Sequence, residues 1–348
     1  MSAPSSPPQG WIHGPRADTV IALLWVPFAI AAALALSDGD YLSRVVGFTL
    51  FVSLAHQPLT VGLVYGDPAQ FSVARRVFSL APFLFVAAVF IGFHVSLALV
   101  GVVAGLWNAE HTLMQRYGVV RIYGRKAGEG ARRDERPMLF SWLLLALVWA
   151  AADPRTPSLL RKVDLGANNE RGIEVLIRWQ WAARLLVVPI VIGAVVLAVR
   201  WFGEERRRSV RIGPKHLYLA STAMLFAVMM LSPIVGVVGY VGAHAVEYLV
   251  IVRGALLRRY RGDDAEDGGV VGRLARTPLR PTGLMAAYLA LFVLGFLAVD
   301  RWGSAFAYSM VFLTVGGMHV LYDGLIWRQR QPVVARSLAS APMVVMRR

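Results

Sequence analysis

The sequence contains no cysteine among its 348 residues, and few of its residues are charged. Without cysteine the chain cannot form a disulfide, a thiolate metal site, an iron–sulfur cluster or a cysteine nucleophile. Charged residues make up 16% of the chain, whereas soluble domains carry about 25%. The hydrophobic share is 57% and the mean hydropathy is +0.55. These values exclude an ordinary cytosolic enzyme and a disordered chain, and they indicate a membrane protein.

Long apolar runs follow one another along the chain, and a membrane-spanning helix needs about 20 such residues. The runs predict an all-α, polytopic transmembrane helical bundle of about ten spans, or nine if the short segment 137–152 is re-entrant. Residues 77–117 would form a helix about 60 Å long, so we expect a hairpin turn near Gly92–His94. Ser232-Pro233 divides a second long run in the same way. The predicted spans are 19–36, 43–65, 77–93, 94–117, 137–152, 181–202, 216–232, 234–257, 282–300 and 304–327.

The distribution of basic residues predicts that both termini are cytoplasmic. In that orientation 28 of the 36 Lys and Arg residues lie inside, as the positive-inside rule requires. The net charge of +15 then reflects topology and contact with anionic lipid head groups, and nucleic-acid binding is not needed to explain it. We expect a polar tail over 1–17 without a secretory signal, one transmembrane domain over 18–328 and a basic cytoplasmic tail over 329–348. The localisation expected is a bacterial-type inner membrane.

Three connecting segments carry many charges. The basic loops 116–136 and 253–280 are most simply solvated, lipid-facing connections, although they could also dock a cytosolic electron donor. The segment 153–180 is expected to lie as an amphipathic helix on the outer surface.

Four predicted spans carry a histidine at a similar depth, namely His56, His111, His244 and His319. Ionisable groups inside a membrane are costly and by default mark function. Each histidine lies in the middle or the cytoplasmic half of its span, and all four spans run from outside to inside. Four imidazoles at one depth predict a metal site with these side chains as ligands. The structural alternative is a histidine that only forms a hydrogen bond between neighbouring helices. This alternative is strongest for His56, which lies near Pro58.

Three carboxylates accompany these histidines. Glu110 directly precedes His111, while Glu247 and Asp323 follow their histidines by three and four residues and share their helix faces. Such carboxylates can act as metal ligands, as catalytic groups or as partners that orient the histidine rings. A divalent cation would neutralise them, and pairing with histidine in a structural or proton-carrying core is the alternative. Asp323 lies near Trp327 and Arg328, so we expect it to act on His319 or Arg328.

The donor set favours one metal over others. Several imidazoles with carboxylates and no sulfur suit iron, zinc or copper, but the chain has no His-Glu-x-x-His zinc-protease motif. A bis-haem cytochrome would need histidine pairs at two depths. One or two non-haem iron ions with dioxygen as co-substrate therefore fit best, ahead of zinc and copper. The remaining histidines, His13, His94 and His216, are expected outside the site.

The set of intramembrane histidines on separate helices resembles that of the bacterial Brp/Blh-type carotene-cleaving oxygenases and, more distantly, the membrane desaturase and hydroxylase group. The resemblance implies iron bound by histidine, dioxygen as co-substrate and an isoprenoid or acyl-chain substrate. The sequence departs from the desaturase pattern because it has no clustered histidine boxes. It also differs from an all-histidine site in the carboxylates beside three of the four histidines.

Two functions from different classes follow. We expect an integral-membrane, metal-dependent oxygenase that hydroxylates, desaturates or cleaves a lipid or isoprenoid chain. The alternative is a proton- or metal-ion-coupled transporter that uses the same histidines and carboxylates, and a structural subunit of a larger complex is a third interpretation. Transporters show inverted repeats with paired helix breaks, whereas the breaks at Pro58 and Ser232-Pro233 do not correspond. A shared metal site requires the ring nitrogens to lie within about 4–5 Å of a common point.

Overall fold

The computed structural model describes residues 10–130, 132–163, 167–208, 211–260, 268–277 and 280–327. Over these ranges the chain is helical and contains no strand, which confirms the all-α prediction. Most of the two predicted tails, and Arg328, lie outside the described residues. The helices are α1 (Pro15–Ala22), α2 (Trp25–Ala35), α3 (Gly39–Gly66), α4 (Pro68–Ser72), α5 (Arg75–Lys126), α6 (Glu135–Ala152), α7 (Thr156–Arg161), α8 (Ala167–Arg206), α9 (Gly213–Leu231), α10 (Pro233–Arg259), α11 (Gly269–Arg276), α12 (Arg280–Trp302) and α13 (Ala305–Ile326).

Nine helices in the described part of the chain are long and apolar enough to cross a membrane, as expected of an integral membrane protein. They are Pro15–Ala35, Gly39–Gly66, Arg75–Ser96, Glu135–Ala152, Glu170–Arg206, Gly213–Leu231, Pro233–Arg259, Pro281–Val299 and Phe306–Ile326. The short predicted span 137–152 is among them. The predicted span 94–117 is not, and it forms the second part of α5. The orientation of the termini stays a prediction.

The two predicted helix breaks are present. Helix α5 is interrupted at Ser96, where φ is −167° and ψ is 104°. A Cβ on Gly92 would overlap a methyl group of Val100, although residues eight apart lie about 12 Å apart in a straight helix. The chain therefore turns back just after the predicted position. At the second break Ser232 is extended, because a residue before proline disfavours the helical conformation.

The segment 153–180 does not form one separate helix, and its position on the outer surface stays a prediction. Helix α7 occupies Thr156–Arg161, and the remainder that is described belongs to α8. Helix α8 continues without interruption into the candidate span Glu170–Arg206.

The described chain divides into two compact units. One unit comprises Met1–Thr49 and Ala109–His244, and the other comprises Leu50–Asn108 and Ala245–Arg348. The prediction of a single transmembrane domain over 18–328 stays a prediction.

In the first unit, small residues on α10 permit close packing of α2. A Cβ on Gly242 would overlap the ring of Phe28, and a Cβ on Gly239 would lie 3.2 Å from the carbonyl oxygen of Trp25. His244 follows Gly242 by two residues. The close contact of α2 with α10 therefore fixes the backbone that carries His244.

In the second unit, α13 packs on α10 and on the first part of α5. Tyr322 is fully buried in an apolar cluster that also contains Val252 and Phe78. A Cβ on Gly317 would overlap the ring of Phe85. Since His319 follows Gly317 by two residues, its backbone is held by a similar close approach.

A buried cluster of charged side chains in the first unit overturns the interpretation of residues 116–136 as a solvated loop. Lys215, at the start of α9, is fully buried and pairs with Glu129 at 2.7 Å and with Glu135. Arg121 donates to Glu135 at 3.1 Å, and Arg132 pairs with Glu205. The acidic residues within and beside the loop neutralise its basic residues, so much of the loop can be buried. Its first 11 residues (116–126) continue α5.

We expect Gly242→Ala to lower the stability of the protein. The added methyl group would collide with the Phe28 ring, and overpacking of this kind typically costs about 1–3 kcal/mol. The apparent melting temperature in detergent should fall. Gly193→Ala, on α8 where nothing lies within 4 Å of an added Cβ, is the matched control and should not lower the melting temperature. Equal melting temperatures for the two variants would contradict the close contact.

We expect Lys215→Met to destabilise the first unit strongly. Removing one member of a buried ion pair leaves an uncompensated charge and typically costs about 3–5 kcal/mol. The control is Arg155→Met, because Arg155 is exposed and pairs with Asp153 outside the buried cluster. Hydrogen bonds from Arg155 lower the pKa of the Asp153 carboxyl, but water can replace them. Thermal unfolding should separate the variants, and equal effects would contradict a structural role for the buried cluster.

Candidate metal centre

Four separate helices carry the four predicted histidines. His56 is on α3, His111 on the second part of α5, His244 on α10 and His319 on α13. All four side chains are buried, with exposures between 0% and 7%.

The second unit brings His56 and His319 together. Their Nε2 atoms lie 3.1 Å apart, and the two rings meet edge to face. Two nitrogen ligands of one tetrahedral ion, each at about 2.0–2.1 Å, lie about 3.3 Å apart. The separation therefore fits two ligands of one metal, and it also fits a hydrogen bond between the rings.

The opposite side of the His319 ring is held by hydroxyl and carboxylate groups. Thr60 Oγ1 lies 2.7 Å from His319 Nδ1 and donates to Asp323 Oδ1 at 3.0 Å. Tyr248 and Trp327 also donate to Asp323 Oδ1, at 2.9 and 3.1 Å. Asp323 is thus the acceptor for three surrounding donors, while its other oxygen is 3.7 Å from His319 Nε2.

The first unit brings His111 and His244 together. Their ring centroids are 5.0 Å apart and the rings meet edge to face. The Gln115 amide donates to the His244 carbonyl oxygen at 3.1 Å, and the Tyr240 hydroxyl donates to the Ala109 carbonyl oxygen at 2.8 Å. These two bonds join α5 to α10 on either side of the histidine pair and fix the relative height of the two rings.

Among the described residues, the four histidines make up a buried group that could hold a metal ion. Each offers one ring nitrogen, and these nitrogens lie within 4.8 Å of one another. That distance meets the requirement set from the sequence. Imidazole nitrogens without sulfur are donors that iron, zinc and copper accept, so the donor set fits the predicted transition metal.

The three predicted carboxylates occupy different positions, and none of them belongs to the histidine group. Asp323 touches His319 and Thr60, as expected for a partner that orients a ring. Glu247 is buried on α10, and Glu110 is half-buried on α5. Whether any of them binds metal or takes part in catalysis stays a prediction.

The other histidines lie elsewhere, as predicted. The His94 ring contacts the rings of Phe90 and Phe306, and His216 pairs with Glu205 at 2.7 Å. His13, near the N-terminus, donates its backbone N–H to Asp18.

Sequence reasoning missed Thr60. It lies four residues after His56 and therefore one turn along the same face of α3. That spacing was the available signal, but threonine is common in membrane helices and carries no charge. The roles of Tyr248 and Trp327 were likewise not assigned, although Tyr248 directly follows Glu247 and Trp327 lies one helical turn after Asp323.

Comparison with known proteins gives no relative: no family model, no curated protein and no solved structure matches this chain. The function is therefore argued from the membrane helices and the histidine group.

We expect Asp323→Leu to destabilise the second unit more than Asp323→Asn. Leucine removes the acceptor for Thr60, Tyr248 and Trp327, and a buried donor left without a partner costs about 1–3 kcal/mol. Asparagine keeps one carbonyl oxygen in that position. The apparent melting temperature in detergent should fall in the order wild type, Asn variant, Leu variant. If the Leu variant were as stable as the Asn variant, the three donors would not depend on this acceptor.

Proposed function

We propose that the protein is an integral-membrane, non-haem iron oxygenase that acts on a lipid or isoprenoid chain. The observation that carries the proposal is the buried group formed by His56, His111, His244 and His319. Four buried imidazoles are expensive in an apolar environment, and a bound cation would use their nitrogens.

The choice of iron is supported by the ligands and their surroundings. The chain has no cysteine, so thiolate-bound zinc, copper or iron–sulfur chemistry is excluded. Neutral imidazoles suit a redox-active iron. When bound, such an iron would supply dioxygen binding and the oxidation of an unactivated carbon–hydrogen or carbon–carbon double bond.

The protein's own residues would bind and orient. The four histidines would hold the metal, and Asp323 would act through its hydrogen bonds around His319. The bundle would keep bulk water away, because all four rings are buried. A substrate from the bilayer is favoured since helices of the protein, such as α8 and α12, expose large apolar side chains over their lengths. Regeneration of the reduced metal would need a cytosolic electron donor.

The first test is the metal content of the purified protein. We expect the wild-type protein in detergent to retain or take up one or two iron ions per chain after anaerobic loading with Fe²⁺. His319→Gln should lose most of that metal. His94→Gln is the matched control, because the His94 ring packs against Phe90 and Phe306 and lies outside the histidine group. This variant should bind metal as the wild type does.

The second readout is dioxygen consumption by the iron-loaded protein in the presence of a bacterial lipid extract and a reductant. Wild type and the His94 variant should consume dioxygen, and the His319 variant should not. A wild-type preparation with no stoichiometric transition metal after loading would contradict the proposal. Metal or proton uptake into proteoliposomes without dioxygen consumption would instead favour the transporter.

A further inference from the structure

We infer that Thr60 is a positioning residue that holds His319 as the Nδ1–H tautomer and so presents the Nε2 lone pair to the metal. This role adds Thr60 to the residues that support the metal centre. Its effect on metal affinity rests on the proposed function, because that function requires a bound metal. The hydrogen bonds from which the tautomer is inferred lie within the second unit.

The Thr60 hydroxyl lies between His319 and Asp323. Thr60 is completely buried, so its hydrogen bonds are made within the protein. Its Oγ1 atom lies 2.7 Å from His319 Nδ1 and 3.0 Å from Asp323 Oδ1. Asp323 therefore reaches the Nδ1 side of the imidazole through Thr60, while its own oxygen stands 3.7 Å from Nε2.

The hydrogen atoms available to these groups determine which atom donates in each hydrogen bond. The indole N–H of Trp327 can only donate, and it donates to Asp323 Oδ1, so this oxygen acts as an acceptor. Thr60 has one hydroxyl hydrogen, which it donates to the same oxygen. Thr60 Oγ1 must then accept from His319 Nδ1–H. The Tyr248 hydroxyl lies 2.5 Å from Thr60 Oγ1 and donates its single hydrogen to Asp323 Oδ1.

Protonation at Nδ1 determines the state of the other ring nitrogen of His319, Nε2. A neutral imidazole protonated at Nδ1 has a lone pair at Nε2. His319 Nε2 faces His56 Nε2 at 3.1 Å, which is where the metal would bind. Without metal, His56 Nε2–H would donate to this lone pair. Partners that fix the tautomer of a metal-bound histidine typically contribute 10–100-fold to metal affinity.

The test of the tautomer needs no metal. Protein labelled with ¹⁵N-histidine is examined in detergent, metal-free, by long-range ¹H–¹⁵N correlation, and the His319 signals are assigned by their loss in His319→Gln. We expect His319 to be protonated at Nδ1 in the wild type and in Thr60→Ser, which keeps the hydroxyl. Thr60→Val, nearly the same shape without the hydroxyl, should lose this preference. An Nε2–H tautomer in the wild type would overturn the inference.

The test of its consequence is the affinity for Co²⁺, measured by chelator competition and by the visible absorption of the bound ion. Thr60→Val should bind about 10–100-fold more weakly, and Thr60→Ser should remain close to the wild type. Thr314→Val is the matched control, because Thr314 is also buried, on α13, and its hydroxyl makes no hydrogen bond within the described residues.

The outcomes separate the two proposals. Equal weakening by the Val and Ser variants, or wild-type affinity in Thr60→Val, would overturn the role of the hydroxyl. A wild-type protein that binds no Co²⁺ or iron but shows the Nδ1–H tautomer would contradict the metal-dependent oxygenase and leave the Thr60–His319 assignment intact.

Discussion

Polar side chains within an apolar bundle must find their hydrogen-bond and charge partners inside the protein, because hydrocarbon offers none. This requirement explains the main features of both units. In the first, Lys215 is buried against Glu129 and Glu135. In the second, the Asp323 carboxylate is surrounded by donors, and one of them, Thr60, also contacts His319. His56 and His319 lie within hydrogen-bond distance of each other through their Nε2 atoms, and a metal would use ring nitrogens of all four histidines.

Close helix packing gives these polar groups defined positions. Gly242 and Gly317 each stand two residues before a site histidine, and each allows an aromatic ring of a neighbouring helix to lie against the backbone. A larger residue at either position would overlap the neighbouring ring and increase the distance between the two helices. The distances within each histidine pair therefore depend on small residues that carry no chemistry of their own.

The sequence predicted the helical fold, both helix breaks and the grouping of the four histidines. Long apolar runs, proline and ionisable groups inside spans are strong local signals for these features. It did not predict the burial of the loop 116–136, since the partner Lys215 lies far along the chain. Thr60 was missed because an uncharged threonine does not stand out in a membrane helix. Both features depend on contacts between residues that are far apart in the sequence. Neither feature therefore produces a pattern within one helix.

The central claim is that the four histidines bind one metal centre through ring nitrogen. X-ray absorption spectroscopy of the iron-loaded protein tests it most directly, because the first coordination shell reports the ligand type and distance. The account predicts a shell dominated by about four nitrogen donors near 2.0–2.2 Å, with the outer-shell scattering of imidazole rings and no sulfur. A shell made of oxygen alone, without imidazole scattering, would contradict it.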